Sequence, residues 1–227
     1  MKKVTSNYAL VIFDLDGTLV DTAADVHFSM NLLRAENGLP PISFEEAKKA
    51  IGPGPDLFVK YLTPTPGQID IKEIVRRFRE IYWQHLLEQT CLFPGMESTL
   101  NLLAELRIKL AVATNKPGAF SRRILEGLGV AHHFLAILGP DDVEKQKPAP
   151  DVIYKAMAQA DTTSAETLMV GDSEFDIRAA RAAGVDICAV SYGYSPAELF
   201  TQLPPTFLVT RPEEIVSLCN HGAIEVR

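Results

Sequence analysis

The clearest hydrophobic pattern in the chain is Tyr8-Ala9-Leu10-Val11-Ile12-Phe13, which runs unbroken into Asp14-Leu15-Asp16-Gly17-Thr18-Leu19. A short apolar run with β-branched and aromatic members reads as a strand buried on both faces, as in a parallel sheet. Carboxylates are costly to bury alone, so Asp14 and Asp16 are expected at the strand's exit, facing a cation or a ligand. In open parallel sheets, ligands bind beyond the carboxyl ends of the strands. A plain Asp-Gly turn accounts for Asp16 and Gly17 but leaves Asp14 unexplained.

After Leu19 the spacing changes from strand to helix. Residues 22–37 carry apolar side chains three and four apart and end at Gly38, Pro40 and Pro41. Ser43-Phe44-Glu45-Glu46 fits a capping box opening a short helix. Gly52-Pro53-Gly54-Pro55 reads as a loop. Ile71, Ile74, Val75, Phe78, Ile81, Tyr82 and His85 form one stripe of a long amphipathic helix. No strand is expected here, so residues 21–90 are taken as an inserted helical domain.

From Phe93 onward, strands and helices alternate. Strands are predicted at Leu110–Ala113, Leu135–Leu138, Thr167–Val170, Ile187–Val190 and Phe207–Val209. Helices are predicted at Met96–Arg107 (with Leu100, Leu103 and Leu106 inward), 118–128, from Pro150 to Ala160, 175–183, and after Pro212. Gly129 and Gly184 stand where C-terminal caps are needed. Alternation of this length implies an α/β fold with a doubly wound parallel sheet. The expected division is a core of residues 1–20 and 91–227 with a helical insert of residues 21–90.

Composition narrows the function classes. Of 227 residues, 47% are hydrophobic and 22% charged, and the formal net charge is −7, which argues against a nucleic-acid or anionic-membrane surface. An anionic substrate would then need local cations. Cys91, Cys188 and Cys219 are scattered and form no C-x-x-C pair, as in a reducing compartment. No apolar run approaches membrane-spanning length, and the one after Met1-Lys2-Lys3 is broken at Asp14. A cytoplasmic protein is expected, as monomer or homodimer.

If the sheet is parallel, Asp14 and Asp16, Thr114 and Asn115, and Asp172 all emerge on one edge. Converging carboxylates repel one another, and a hard divalent cation with oxygen ligands resolves the crowding; Mg²⁺ is the natural choice and commonly bridges carboxylates to phosphate. Lys147, in the Pro-stiffened segment Lys147-Pro148-Ala149-Pro150, can be held over the site as a point charge on a phosphate. A surface lysine in a turn is the plainer alternative, and a Thr at a strand end is commonly a turn-former.

Asp14-Leu15-Asp16-Gly17-Thr18-Leu19 resembles the first motif of the haloacid dehalogenase superfamily of phosphatases. Thr114, Lys147 and Gly171-Asp172-Ser173-Glu174-Phe175-Asp176 resemble its second, third and fourth motifs in order. The insert after the first motif is similar to the helical cap of one subclass. The resemblance implies Asp14 as the nucleophile that forms an aspartyl-phosphate, and Asp16 as the group that protonates the leaving alkoxide and then takes a proton from water. It implies Mg²⁺ held by Asp14, the Asp16 backbone carbonyl and Asp172, and phosphoryl oxygens bound by Thr114, Asn115 and Lys147. Asp176 and Ser173 would stand behind them, although an acid at a helix start also suits the dipole alone.

An acid at position 16 is one that haloalkanoate dehalogenases lack, since halide leaves without a proton. Sugar-phosphate mutases such as β-phosphoglucomutase keep both acids, but typically carry a cap His where this chain has Val26, one residue before His27. Pyrophosphatases and nucleotidases fit the same core. A phosphate-sensing protein without turnover is the alternative from another class, and the intact set Asp14, Asp16, Lys147 and Asp172 favours catalysis. Thr18 to Thr22, the cap loop with Gly52 and Gly54, and Tyr192-Gly193-Tyr194 together resemble the phosphoglycolate phosphatase subgroup, which implies a small phosphorylated metabolite as substrate. The cap would hinge near Val20-Asp21 and Cys91–Phe93, and the Gly52/Gly54 loop would either dip into the site or serve as a structural turn.

Overall fold

The computed structural model describes residues 8–52, 55–62 and 70–219. Six parallel strands form the main sheet: β1 (Leu10–Phe13), β4 (Lys109–Ala113), β5 (Phe134–Leu138), β6 (Thr167–Gly171), β7 (Asp186–Val190) and β8 (Phe207–Val209), in spatial order β5-β4-β1-β6-β7-β8. Each predicted strand is present. The first is trimmed to Leu10–Phe13 from the apolar run that suggested it. Strand β1 is central, and its Phe13 pairs with Val112 on one side and Val170 on the other. The three strands therefore end level, and the residues that follow them come out on one rim.

Alternation along the strands divides the core into two layers. Val11, Phe13, Val112, Val170 and Val190 face one way; Leu10, Ile12, Ala113, Met169 and Ala189 face the other. The second layer is covered by helices α7 (Asp151–Ala160) and α8 (Glu174–Ala183), whose Ala156, Ala160, Ala179 and Ala180 let helix backbones approach the sheet closely. The first is covered by α5 (Met96–Glu105), α6 (Gly118–Gly127) and α10 (Glu213–Cys219). Within α5, Leu100 and Leu103 are buried as expected; Leu106, expected inward, falls just past the helix and is exposed.

Between β1 and β4 the chain builds helices α1 (Ala23–Glu36), α2 (Phe44–Ala50), α3 (Pro55–Leu62) and α4 (Ile71–His85). The capping box at Ser43 and Glu46 forms, with the Ser43 amide and the Glu46 carboxylate bonded at 2.8 Å. Helix α3 was hidden behind a segment that looked like a loop; Pro55 is its first residue, a position where the missing N–H costs nothing. A short helix α9 (Ala197–Gln202) also escaped the sequence pattern. On α4 the stripe is buried at Ile74, Phe78, Ile81 and Tyr82, whereas Ile71 at its start is exposed. These side chains join Val26, Met30 and Leu33 of α1 in the same apolar cluster as the first core layer.

Where the chain leaves for the helices and where it returns, β2 (Val20–Asp21) and β3 (Cys91–Leu92) pair antiparallel. Both ends of this ribbon are anchored by side chains. The Tyr194 hydroxyl donates to Asp21 (2.8 Å) and accepts from the Thr22 and Ala23 amides (2.8 and 3.2 Å). Asp25, fully buried on α1, accepts from the amides of Glu88, Gln89 and Thr90 at 2.9–3.0 Å. Sequence patterning gave no hint of Asp25, because an acid in a helix's first turn looks like an ordinary dipole partner. Replacing Asp25 with Ala strips those amides of their acceptor and should lower the unfolding free energy by about 2–3 kcal/mol, read from urea denaturation. An unchanged midpoint would show that water satisfies these amides equally well.

Candidate active site

Asp14 follows β1 directly, and its amide still donates to Val170 of the neighbouring strand at 2.8 Å. Its carboxylate is buried beside Lys147, with Nζ 2.9 Å from Oδ1. The same ammonium donates to Asp176 Oδ1 at 2.6 Å. The other oxygen of Asp176 accepts from the Ser173 amide (3.0 Å) and hydroxyl (2.6 Å), closing a capping box at the start of α8. Both sequence interpretations of Asp176 are compatible with these contacts. One oxygen caps the helix and the other fixes the lysine.

Asp172, after β6, is brought against the loop after β1. Its Oδ1 lies 3.4 Å from the Thr18 hydroxyl and its Oδ2 accepts from the Tyr194 amide at 2.7 Å. This approach demands glycine at two places. Gly17 has φ +79°, and a Cβ there would stand 2.5 Å from Asp172 Oδ2; at Gly193 it would stand 2.4 Å from both Asp172 Cβ and the Gly17 carbonyl oxygen. The 192–194 turn therefore closes the site's floor as well as holding the ribbon. Its Tyr192 hydroxyl donates to the Thr18 carbonyl at 3.2 Å.

Asp16 occupies a different microenvironment. Lys116 Nζ lies 2.9 Å from both of its oxygens, and the Thr22 hydroxyl donates to Oδ1 at 2.6 Å. Thr22 stands at the N-cap of α1 yet makes no side-chain cap bond to the helix; its hydroxyl serves Asp16 instead. Lys116 was not singled out in the sequence, where it looked like one more polar residue of a strand-end turn. Thr114 is buried on the same rim, where its hydroxyl accepts from the Lys116 amide at 3.2 Å. Asn115 was expected to touch a phosphate, but its side-chain amide donates to the carbonyls of Gly52 (3.2 Å) and Lys147 (3.1 Å). It ties the cap loop and the lysine loop to the strand end. Of the two loop glycines, Gly52 lines the cavity, while Gly54 lies outside the described residues.

Above this floor is a cavity of about 250 Å³. Its lower wall carries Asp14, Asp16, Thr114, Lys116 and Lys147; its upper wall is Val26, Ile51, Phe78, Tyr82 and Phe120. Tyr82 of α4 stacks on Phe120 of α6, centroids 5.7 Å apart and planes 7° from parallel. The helical insert and the sheet domain thus enclose the cavity together.

Electrostatically the floor is unbalanced. The carboxylates of Asp14, Asp172 and Asp176 have oxygens within 4.8 Å of one another, all buried, against the one ammonium of Lys147. Burial pushes Asp14 up to about 7 from an ordinary 3.8, opposed by Lys147 and reinforced by Asp176 and Asp16. Burial and then the charges of Asp176 and Asp14 push Asp172 up to about 8, against the Tyr194 amide and Lys147. Lys147 is held above its usual value by the same carboxylates, which outweigh its own desolvation. Asp14 Oδ1 receives no aligned hydrogen bond despite its burial. An all-oxygen, anion-rich, under-bonded pocket of this kind fits a hard divalent cation between Asp14 and Asp172, Asp176 being engaged by Lys147 and Ser173.

Comparison with known proteins agrees with this geometry. Residues 11–190 match the haloacid dehalogenase-like hydrolase family. The chain is 36% identical over 199 residues to a phosphoglycolate phosphatase of Yersinia pseudotuberculosis, covering 86% of each chain. It is 33% identical to that of Photorhabdus laumondii, covering 99% of this chain and 98% of the other. The crystal structure of a predicted phosphoglycolate phosphatase from Haemophilus somnus superposes with a TM-score of 0.88 at 28% identity, over 95% of this chain and all of the other. Among the described residues, no helix is long and apolar enough to cross a membrane.

The raised carboxyls have a measurable consequence. Below about pH 4 Asp14 and Asp172 are protonated folded or unfolded; above it the unfolded chain ionises them freely while the folded site resists up to about pH 7–8. Without metal, stability should therefore fall as pH rises from 5 to 8. Mg²⁺ should raise the melting temperature more at pH 8 than at pH 6, since it displaces those protons. Asp172→Asn should flatten both dependences in thermal melts. Equal Mg²⁺ shifts at the two pH values would rule out proton-linked binding here.

Proposed function

The chain belongs to the haloacid dehalogenase-like hydrolase family and is a hydrolase of phosphate monoesters, and on that premise we propose that it converts 2-phosphoglycolate to glycolate and phosphate through an aspartyl-phosphate on Asp14. The observation that carries the chemistry is the level ending of β1, β4 and β6, which sets Asp14, Thr114 and Asp172 on one rim with Lys147 at 2.9 Å from Asp14. The substrate rests on the relatives that carry that name at 30% identity or more.

In this mechanism Asp14 attacks phosphorus in line with the ester oxygen. Asp16, next to the cavity on the leaving-group side, gives the departing alkoxide a proton. It takes one from the water that later cleaves the acyl-phosphate. Lys147 and Thr114 hold the phosphoryl oxygens, and Asp176 keeps the lysine aimed, its short contact leaving little freedom to the ammonium. The metal, proposed as Mg²⁺ on Asp14, the Asp16 carbonyl and Asp172, would neutralise the carboxylates and polarise the phosphoryl group when bound. Ser173 supports Asp176, and Asn115 supports Lys147 through its carbonyl. Residues 21–90 act as a cap, hinged where β2 pairs with β3, which excludes water from the cavity as it seats. The protein acts on a small cytoplasmic metabolite.

Asp14→Asn should abolish phosphate release from 2-phosphoglycolate and from an aryl phosphate while leaving the thermal unfolding cooperative. A residual rate within about tenfold, only ~1.4 kcal/mol of barrier, would remove Asp14 from its role. EDTA should silence the enzyme and Mg²⁺ restore it. A screen of phosphorylated metabolites should place 2-phosphoglycolate first; glucose 1-phosphate, followed for isomerisation, tests the mutase alternative directly.

A further inference from the structure

A carboxylated substrate needs a cation inside the cavity, because the wall above the acidic floor is largely aliphatic and aromatic and a bare carboxylate would lose its hydration there. Three cationic side chains line that space: Lys147, Arg79 and Lys116. Lys147 is engaged by Asp14 and Asp176 on the phosphoryl side. Arg79, on α4, is exposed at the outer rim. Lys116 is buried at the inner end, with its ammonium 4.9 Å over the Tyr82 ring.

The geometry points to Lys116, on the sheet domain rather than the cap, as the residue that recognises the carboxylate of the leaving group and so selects 2-phosphoglycolate. The inference rests on the proposed mechanism. Asp16 must reach the ester oxygen to protonate it, and Lys116 Nζ lies 2.9 Å from both Asp16 oxygens. In 2-phosphoglycolate the carboxyl carbon stands two bonds from that same ester oxygen. The group that partners Asp16 is thus the group within hydrogen-bond reach of the substrate's carboxylate. An ammonium has three donors, and Asp16 occupies at most two, so Lys116 can bind the substrate without releasing the acid. The Tyr82 face on one side and Phe120 behind it close the space to longer leaving groups and exclude the water that would screen the pair. An anionic group several bonds farther out, as in a hexose bisphosphate, would pass Lys116 and meet Arg79.

The test compares 2-phosphoglycolate with ethyl phosphate, an alkyl ester that needs the same proton from Asp16 but has no carboxylate. The wild-type enzyme with Mg²⁺ should prefer the former by about 10- to 100-fold in kcat/KM, the worth of one charge-assisted contact. Lys116→Met should bring that ratio to within about threefold of one, Lys116→Arg should keep part of it, and Arg79→Met should keep all of it. The ratio cancels any effect passed through Asp16, which both esters need alike. Should Lys116→Met be too slow to assay, the same ratio is read from calorimetric binding of the two esters in an Asp14→Asn background. If Lys116→Met slows both esters equally and keeps the preference, Lys116 only positions Asp16 and the inference is overturned while the substrate assignment stands. Loss of the preference in Arg79→Met instead moves recognition to the cap and overturns it too. A wild-type enzyme with no preference for 2-phosphoglycolate removes the substrate assignment itself, and this inference with it.

Discussion

The structure depends on an unequal meeting of charges: the carboxylates of Asp14, Asp172 and Asp176, buried within 4.8 Å of one another, face a single buried ammonium from Lys147. Such a cluster cannot be stable as drawn unless its excess negative charge is relieved. Protons relieve it when metal is absent, which is why burial lifts Asp14 and Asp172 toward neutral pH. A divalent cation held between Asp14 and Asp172 would relieve it in turn. Much of the surrounding chain exists to hold the groups in place against their own repulsion. Gly17 and Gly193 let backbone crowd Asp172, the Tyr194 amide bonds it, and Ser173 locks Asp176.

Two lysines divide the labour. Lys147 is bound by Asp14 and Asp176, and Lys116 by Asp16. The separation keeps Asp14 and Asp16 in different electrostatic surroundings, although they are two residues apart in the chain. It also connects chemistry to the cap. Thr22 bonds Asp16 from the first residue before α1, Tyr82 of α4 lies over Lys116, and Asn115 joins the Gly52 carbonyl to the Lys147 carbonyl. Through the Tyr194 hydroxyl, the turn that supports Asp172 also grips the entry to α1. The helices between β1 and β4 and both lysines are thereby tied into one network of contacts.

The parallel sheet and the convergence of Asp14, Thr114, Lys147 and Asp172 were legible, though the strand order was not, because buried parallel strands leave short apolar runs and their exits share an edge. Helix α3 was not, since the Gly-Pro repeat before it signals a turn more strongly than Pro55 signals a helix start. Leu106 misled because the apolar spacing runs on into the C-cap, whereas the helix ends at Glu105 and Arg107 takes positive φ. The most consequential omissions, Lys116, Tyr82 as a wall of the site, and Asp25, share one cause. Each owes its role to a partner far away in sequence, and no local pattern distinguishes a buried lysine paired at a distance of 100 residues from a surface one.

The asymmetry of the cavity, ionic below and aromatic above, follows from the same division. A phosphoryl group is common to every ester, so its recognition belongs to the rim of the sheet, where strand register fixes positions most firmly. The leaving group varies, and the surface above it is assembled from side chains of α1, α4 and α6 that can change without disturbing that register. Lys116 stands at the boundary, following β4 immediately and reaching under Tyr82. A cation anchored to the sheet but facing the variable compartment can demand a carboxylate at a fixed number of bonds from phosphorus.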